Sequence, residues 1–133
     1  MRTLKCFLIL CIVFLINPGF ASAQDKVEDS HAKAIRLALK AGGLNTKGYP
    51  LLSKNYGPFL SGLGFSLIAS TNYTPKQGDV RVFQPYPGGD PTGHVDMYDG
   101  HQWISDFKEA NFWPGAKYKK YHPDYKIFRW LSK

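Results

Sequence analysis

Apolar and polar positions alternate along this chain in two rhythms, one with a helical period and one with a period of two. Between Ser30 and Ala41, His31, Ile35, Ala38 and Gly42 recur at i, i+4, i+7 and i+11, and Ala34 and Leu39 widen the stripe. That spacing predicts an amphipathic helix, started by Asp29 or Ser30 and stopped by Gly42-Gly43. His31 falls in its first turn, on or beside the inward face. Ser53 to Leu63 predicts a shorter helix, made irregular by Gly57-Pro58. Strand patterns follow: an apolar run from Leu63-Gly64-Phe65 through Ala69, an alternating run from Asp79 to Gln84, two more at His94–Tyr98 and Gln102–Phe107, and a last one over Tyr125–Trp130. Leu44 to Pro50 is a loop and Thr74 to Gly78 a turn. Pro85 to Thr92 is a Pro/Gly loop suited to rim a cleft, and Phe112-Trp113-Pro114-Gly115 closes a turn. Helices first and strands afterwards predict one α+β domain, with the N-terminal helix packed on an antiparallel sheet.

The run from Gly93 to Phe107 carries the densest chemistry. Its two alternating halves flank Asp99-Gly100, a strong hairpin signal. A two-residue turn there would pair Tyr98 with His101 and set Ser105 opposite His94. A three-residue turn with a bulge would pair Met97 with His101, and place Gln102, Ile104 and Asp106 on the face of His94. The pattern selects the second register. It gathers Val95, Met97, Trp103 and Phe107 on one face, and His94, Asp96, Tyr98, Gln102 and Asp106 on the other, and a one-residue slip would exchange the faces. On this reading Asp106 orients the His94 ring.

Residues 1–23 read as a secretory signal peptide. Arg2 and Lys5 precede an apolar run from Cys6 to Ile16, too short to span a bilayer, and Ala21-Ser22-Ala23 is an A-x-A cleavage site. The domain is then 24–133, secreted or periplasmic, with no transmembrane anchor. Both cysteines, Cys6 and Cys11, lie in the signal, so the mature chain has neither thiol nor disulfide and relies on its core. Removing Arg2 and Lys5 takes the formal charge from +7 to +5, which suits an anionic partner such as a cell wall. The one basic run, Lys117-Tyr118-Lys119-Lys120, reads as a solvated face. No nucleic-acid motif accompanies it.

The order of these pieces resembles the CHAP and NlpC/P60 group of papain-like cysteine amidases, which cut peptide bonds in peptidoglycan. The matching segments are Ala32-Lys33-Ala34-Ile35-Arg36-Leu37-Ala38 on the helix, Gly78-Asp79-Val80 at a strand start, and Gly93-His94-Val95. The run Gln102-Trp103-Ile104-Ser105-Asp106-Phe107-Lys108, with Phe112-Trp113-Pro114-Gly115, is similar to amidase effectors of type VI secretion and to their domesticated, secreted relatives. The resemblance covers roughly Ser30 to Arg129. It implies a papain-like core in which a cysteine at a helix N-terminus is activated by the dipole and by a histidine on the facing strand, with a third polar group fixing the tautomer. Carried over, His94 is that histidine and Asp106 the orienter. The nucleophile position is held by His31.

The substitution predicts loss of the thiolate chemistry, so the leading expectation is a pseudoenzyme that recognises peptidoglycan stem peptides. Ser30 is adjacent, but one helical position rotates it by about 100°. Asp96, Gln102 and Trp113 are further cleft candidates, whereas Trp103 reads as core and His101 and His122 as surface. An alternative keeps amidase or endopeptidase activity through an unconventional His/Asp site, or through zinc on His31, His94 and Asp106 with an open position for water. Against zinc, a first-turn histidine beside His94 is expected to stay neutral, because a helix N-terminus disfavours positive charge. No cofactor is otherwise implied. A third reading is a cationic surface binder or amidase inhibitor, whose charge-driven binding would vanish at high salt.

Overall fold

The computed structural model describes residues 28–131; the predicted signal segment lies outside them. Helix α1 spans Ser30–Ala41. Asp29 caps it, accepting from Ala32 N–H at 2.8 Å. The same carboxylate accepts from the Ser53 N–H at 2.5 Å and the Ser53 hydroxyl at 2.8 Å. One side chain thereby fixes the helix start and pins it to a 3-10 turn at Ser53–Asn55, which runs into α2, Tyr56–Leu63. At the other end the Gly42 N–H closes α1 onto the Ala38 carbonyl. Both helices fall where the sequence puts them.

Six strands follow: β1 Phe65–Ile68, β2 Val80–Phe83, β3 His94–Tyr98, β4 Trp103–Ile104, β5 Lys108–Glu109 and β6 Tyr125–Trp130. They form one sheet in the order β1-β6-β2-β3-β4-β5, with every pairing antiparallel. The chain is therefore an α+β domain, as its pattern predicts. Register assigns the faces. Val80 pairs with Met97 and with Phe128, Val82 with Val95, and Met97 with Ile104. These residues make a single core with Ala32, Ile35, Ala38 and Leu39 of α1 and Tyr56 and Leu60 of α2. Each fully buried Ile or Leu contributes about 1.5–3 kcal/mol. The opposite face carries Arg81 against Asp96 and Phe83 against His94.

The central hairpin uses neither register the sequence suggests. Tyr98 pairs with Trp103 and Met97 with Ile104, so Gly100-His101 forms the turn and Asp99 and Gln102 flank it, Asp99 N–H bonding to the Gln102 carbonyl. The Asp99 carboxylate decides this by accepting both the His101 and Gln102 N–H groups at 2.7 Å. Gly100 takes φ +101° as the first central residue, which glycine alone does cheaply. The shift puts Ile104 in the core. Trp103 moves to the face of Asp96 and Tyr98, and Gln102 to the opposite face from His94. Trp103 is buried as expected, but against the polar face.

A helix that the apolar pattern does not announce, α3 at Ala116–Tyr121, follows the Phe112–Gly115 turn. None of its residues is buried, which is why it lacks an apolar stripe; its lysines are exposed, in keeping with a solvated face.

Gly93 explains half of the Gly-His pair in physical terms. It holds φ +72°, and a Cβ there would stand 2.5 Å from the Phe83 carbonyl oxygen and 2.9 Å from Lys54 Cβ. Gly93→Ala is expected to destabilise the fold by about 1–3 kcal/mol. Thermal unfolding should show a midpoint several degrees lower, and an unchanged midpoint would contradict the close approach.

Candidate functional site

The polar cluster forms where the first turn of α1 meets the start of β3 and the tight β4–β5 turn at Ser105–Phe107. His31 and His94 face each other with ring centroids 4.5 Å apart, in an edge-to-face arrangement. Phe107 covers both rings, at 5.3 and 5.9 Å. Phe83 and Tyr118 flank His94 at 6.1 and 6.0 Å. His94 is left 2% exposed, while the His31 side chain keeps 23% of its surface open.

Each histidine has its own carboxylate. His94 Nε2 lies 3.0 Å from Asp96 Oδ2. Asp96 in turn is gripped by Arg81, whose Nε donates to Oδ1 at 2.9 Å and Nη2 to Oδ2 at 2.7 Å. Arg81 is itself fully buried, donates Nη1 to the Phe112 carbonyl, and lies 3.8 Å over the Trp103 ring. Burial pushes the Asp96 pKa up, but the guanidinium outweighs it and holds the carboxyl below its ordinary range. An ionised carboxylate only accepts, so the proton sits on His94 Nε2.

The other pair corrects the expected role of Asp106. Its Oδ1 stands 2.5 Å from His31 Nδ1, so Asp106 orients His31, and Asp96 orients His94. The physical reason is the strand break. β4 ends at Ile104 and the chain reverses through Ser105–Phe107 into β5, which carries Asp106 off the sheet and toward the helix terminus. Ser105 Oγ, buried, completes the group at 3.3 Å from His31 Nδ1 and 3.1 Å from Asp106. Ser30 also bonds to Asp106, so it leans on the carboxylate. Ser105 and Asp106 meet the same imidazole nitrogen. A serine nucleophile and the group that orients its base need opposite nitrogens, so no serine relay is assembled here.

The electrostatics run against the neutral first-turn histidine that the helix dipole suggests. Burial lowers the His31 pKa, but Asp106, with Asp29 and Asp96 behind it, outweighs burial and the net shift is upward. Burial works against Asp106 as well, yet the bonds from His31, Ser30 and Ser105 take its pKa well below the usual carboxylate range. Between the lowered Asp106 pKa and the raised His31 pKa the pair is an imidazolium–carboxylate. Burial pushes the Tyr118 hydroxyl up to about 12, so it stays a proton donor.

Of the other candidates, Trp113 sits one ring back: it packs on Phe83 at 5.9 Å and stacks flat on His122 at 4.7 Å. Gln102 belongs to the hairpin turn. His101 and His122 are exposed, as expected. Among the described residues no three His, Cys, Asp or Glu side chains are arranged to hold a metal ion; His31 and His94 each meet a carboxylate of their own, Asp106 and Asp96. The sequence reading passes over Arg81, Ser105, Phe107 and Tyr118 as site residues. A charge inside the strand Val80-Arg81-Val82-Phe83 was the available signal for the first, and a tyrosine within the basic run for the last.

No family model matches this sequence, and no curated protein does. Three chains of solved structures do. A chain of the type VI native effector–immunity complex Tae3–Tai3 from Ralstonia pickettii is 33% identical, with a TM-score of 0.75, covering 98% of this chain and 100% of that one. The chain belongs to this type VI family. The selenomethionine form of the same complex gives 34% identity and a TM-score of 0.69, over 92% of this chain and 97% of that one. Among the described residues no helix of this type VI family member is long and apolar enough to cross a membrane.

Two measurements follow from the site. Arg81→Ala would leave Asp96 charged and buried without its guanidinium, with only the His94 N–H to meet it, at an expected cost of about 3–5 kcal/mol in chemical denaturation; a cost below 1 kcal/mol would mean that Asp96 is not held as described. The His31–Asp106 pair has a signed pH dependence. Its His component is complete below the ordinary value of 6.5 and lost as pH rises through the raised pKa; its Asp component is complete above 3.8 and lost as pH falls through the lowered one. Asp106→Asn should therefore lower the melting temperature most at about pH 4–6.5 and least in alkali. A destabilisation independent of pH would remove the charge pair from the account.

Proposed function

We propose that this chain is a cell-wall-directed member of the type VI amidase fold that binds peptidoglycan stem peptides and does not cleave them. The reading rests on one observation. The residue at the helix N-terminus facing the histidine–carboxylate pair is an imidazole, and it is already engaged by Asp106 at 2.5 Å. In the papain-like CHAP and NlpC/P60 amidases that the sequence resembles, a thiolate stands there. The rest of that layout has a counterpart: β3 carries His94, whose far nitrogen meets Asp96. Tyr118 flanks His94 at 6.0 Å and meets Tyr86 of the Pro85–Thr92 loop at 5.0 Å, and on this reading ring and loop border the bound peptide.

An imidazole does not replace the thiolate. Its raised pKa keeps the ring protonated to a higher pH than an ordinary imidazole, and an acyl-imidazole lies uphill of an amide. Both cysteines of the chain precede the predicted cleavage site, so no thiol stands elsewhere in the domain to substitute. The signal pattern at residues 2–23 supports a secreted or periplasmic location, where the wall is in reach. A protein occupant of the same groove is the second reading, favoured because the structural relatives were solved as effector–immunity complexes.

The test is a muropeptide digest by the protein and by its His31→Cys variant, with and without zinc, alongside pull-down on intact peptidoglycan. The protein is expected to bind the wall and release no fragments, and the variant to restore cleavage. Cleavage by the unmodified protein would overturn the pseudoenzyme reading, and zinc dependence of that cleavage would bring back a metal route. Absence of wall binding by both would favour the protein occupant.

A further inference from the structure

His94 lies at the centre of the candidate site, yet in this conformation its ring leaves almost no surface for a ligand to touch. It is 2% exposed. On the solvent side Phe107 lies across both His31 and His94, at 5.3 and 5.9 Å, and keeps 40% of its own surface in water. Phe107 rides on a lightly anchored part of the sheet. The turn Ser105–Phe107 joins β4 to β5, strands of two residues each, and β5 is an edge, paired with β4 alone. Lys108 is exposed and Glu109 half-buried, so little apolar burial holds β5 down. Segments of that kind open locally, well below the free energy of global unfolding. What ties the turn to the body is polar. Among the described residues, its hydrogen bonds outside the hairpin run to the first turn of α1: Asp106 to His31 at 2.5 Å and to Ser30, and Ser105 Oγ to His31 at 3.3 Å. Asp106 immediately precedes Phe107, so the contact that balances the imidazolium also holds the aromatic cover in place. A thiolate at position 31 would repel Asp106 and could not do this.

We infer that Ser105–Phe107 is a lid over His94 and that the His31–Asp106 pair is its latch. In the closed form the pair holds Phe107 across the ring. When the pair parts, the turn swings away on the short β4–β5 hairpin, Phe107 leaves with it, and His94 opens to the groove bordered by Tyr118. A ligand that binds only the open form must part the pair first, so its apparent affinity falls by the fraction of molecules that are open. That the lid admits a wall peptide rests on the binding reading proposed above; the lid and its latch do not.

Access to His94 can be read directly by acylation with diethyl pyrocarbonate, with peptide mass spectrometry assigning a rate to each histidine and exposed His101 as the internal reference. His94 should react slowly, at a rate that urea well below the unfolding transition leaves unchanged, because moving one short turn exposes little surface. Asp106→Asn should raise that rate by about tenfold, within the span open to a minor state populated at about 0.1–10%, again without urea dependence. Phe107→Ala should also raise it, with the latch intact. Amide exchange at Ser105–Glu109 should quicken in Asp106→Asn and stay as it was in Phe107→Ala. A His94 rate that climbs with urea would mean that the ring is reached only by global unfolding. A rate unmoved by Asp106→Asn would mean that the pair latches nothing. Either result overturns the proposal. Pull-down on intact peptidoglycan separates the lid from the binding reading. Tighter capture of Asp106→Asn supports both, whereas faster acylation with no capture of either protein leaves the lid standing and overturns the peptide site.

Discussion

Arg81 and Asp96 face each other across β2 and β3 with almost no exposure to solvent, and the polar half of the molecule is arranged around that contact. Two charges taken out of water are tolerated only when each is satisfied in several directions. Here the carboxylate accepts two guanidinium N–H groups and one imidazole N–H, and the guanidinium adds the Phe112 carbonyl and the Trp103 ring face. These contacts fix the His94 tautomer and draw the Phe112–Gly115 turn over the sheet. They also explain why Trp103 leaves the apolar core. Its ring covers a buried cation, and that outweighs a place among the aliphatic residues of the other face.

The helix terminus shows how one residue sets the electrostatics of a site. A thiol at this position would be stabilised as a thiolate by the dipole of α1 and by a neighbouring imidazolium. A histidine there meets the dipole with the wrong sign. The compensation is a carboxylate: Asp106, on a turn that leaves the sheet, offsets both the dipole and the burial of the ring. The cluster thus holds two histidine–carboxylate pairs in contact, one sealed and one part-open. Such an arrangement is well suited to holding its shape.

Most elements of the fold were legible in the sequence. The helix stripe through Ile35 and Ala38, the Asp29 cap, the Gly42-Gly43 stop and the strand over Tyr125–Trp130 follow from local spacing and backbone chemistry, and they are found where the pattern places them. Helix α3 escaped because a helix that buries nothing leaves no stripe. The hairpin register escaped because Asp99 offers its carboxylate to two N–H groups beyond it and closes a two-residue turn at Gly100-His101 in place of the three-residue turn that the pattern selects. That change of parity exchanges the faces of the side chains in the following strand.

The same distinction holds for the site. Local sequence determined that a histidine would stand in the first turn of α1, that another would open β3 behind a glycine, and that no thiol would follow the predicted cleavage site. Only the tertiary structure decided which carboxylate serves which ring. That choice depends on where β4 breaks and how far the Ser105–Phe107 turn swings from the sheet. It also depends on an arginine one strand away that claims Asp96 first. Spacing along the chain fixes the direction of a side chain within its own element. Pairing between elements depends on register and on the balance of burial against charge, and neither exists until the sheet has formed.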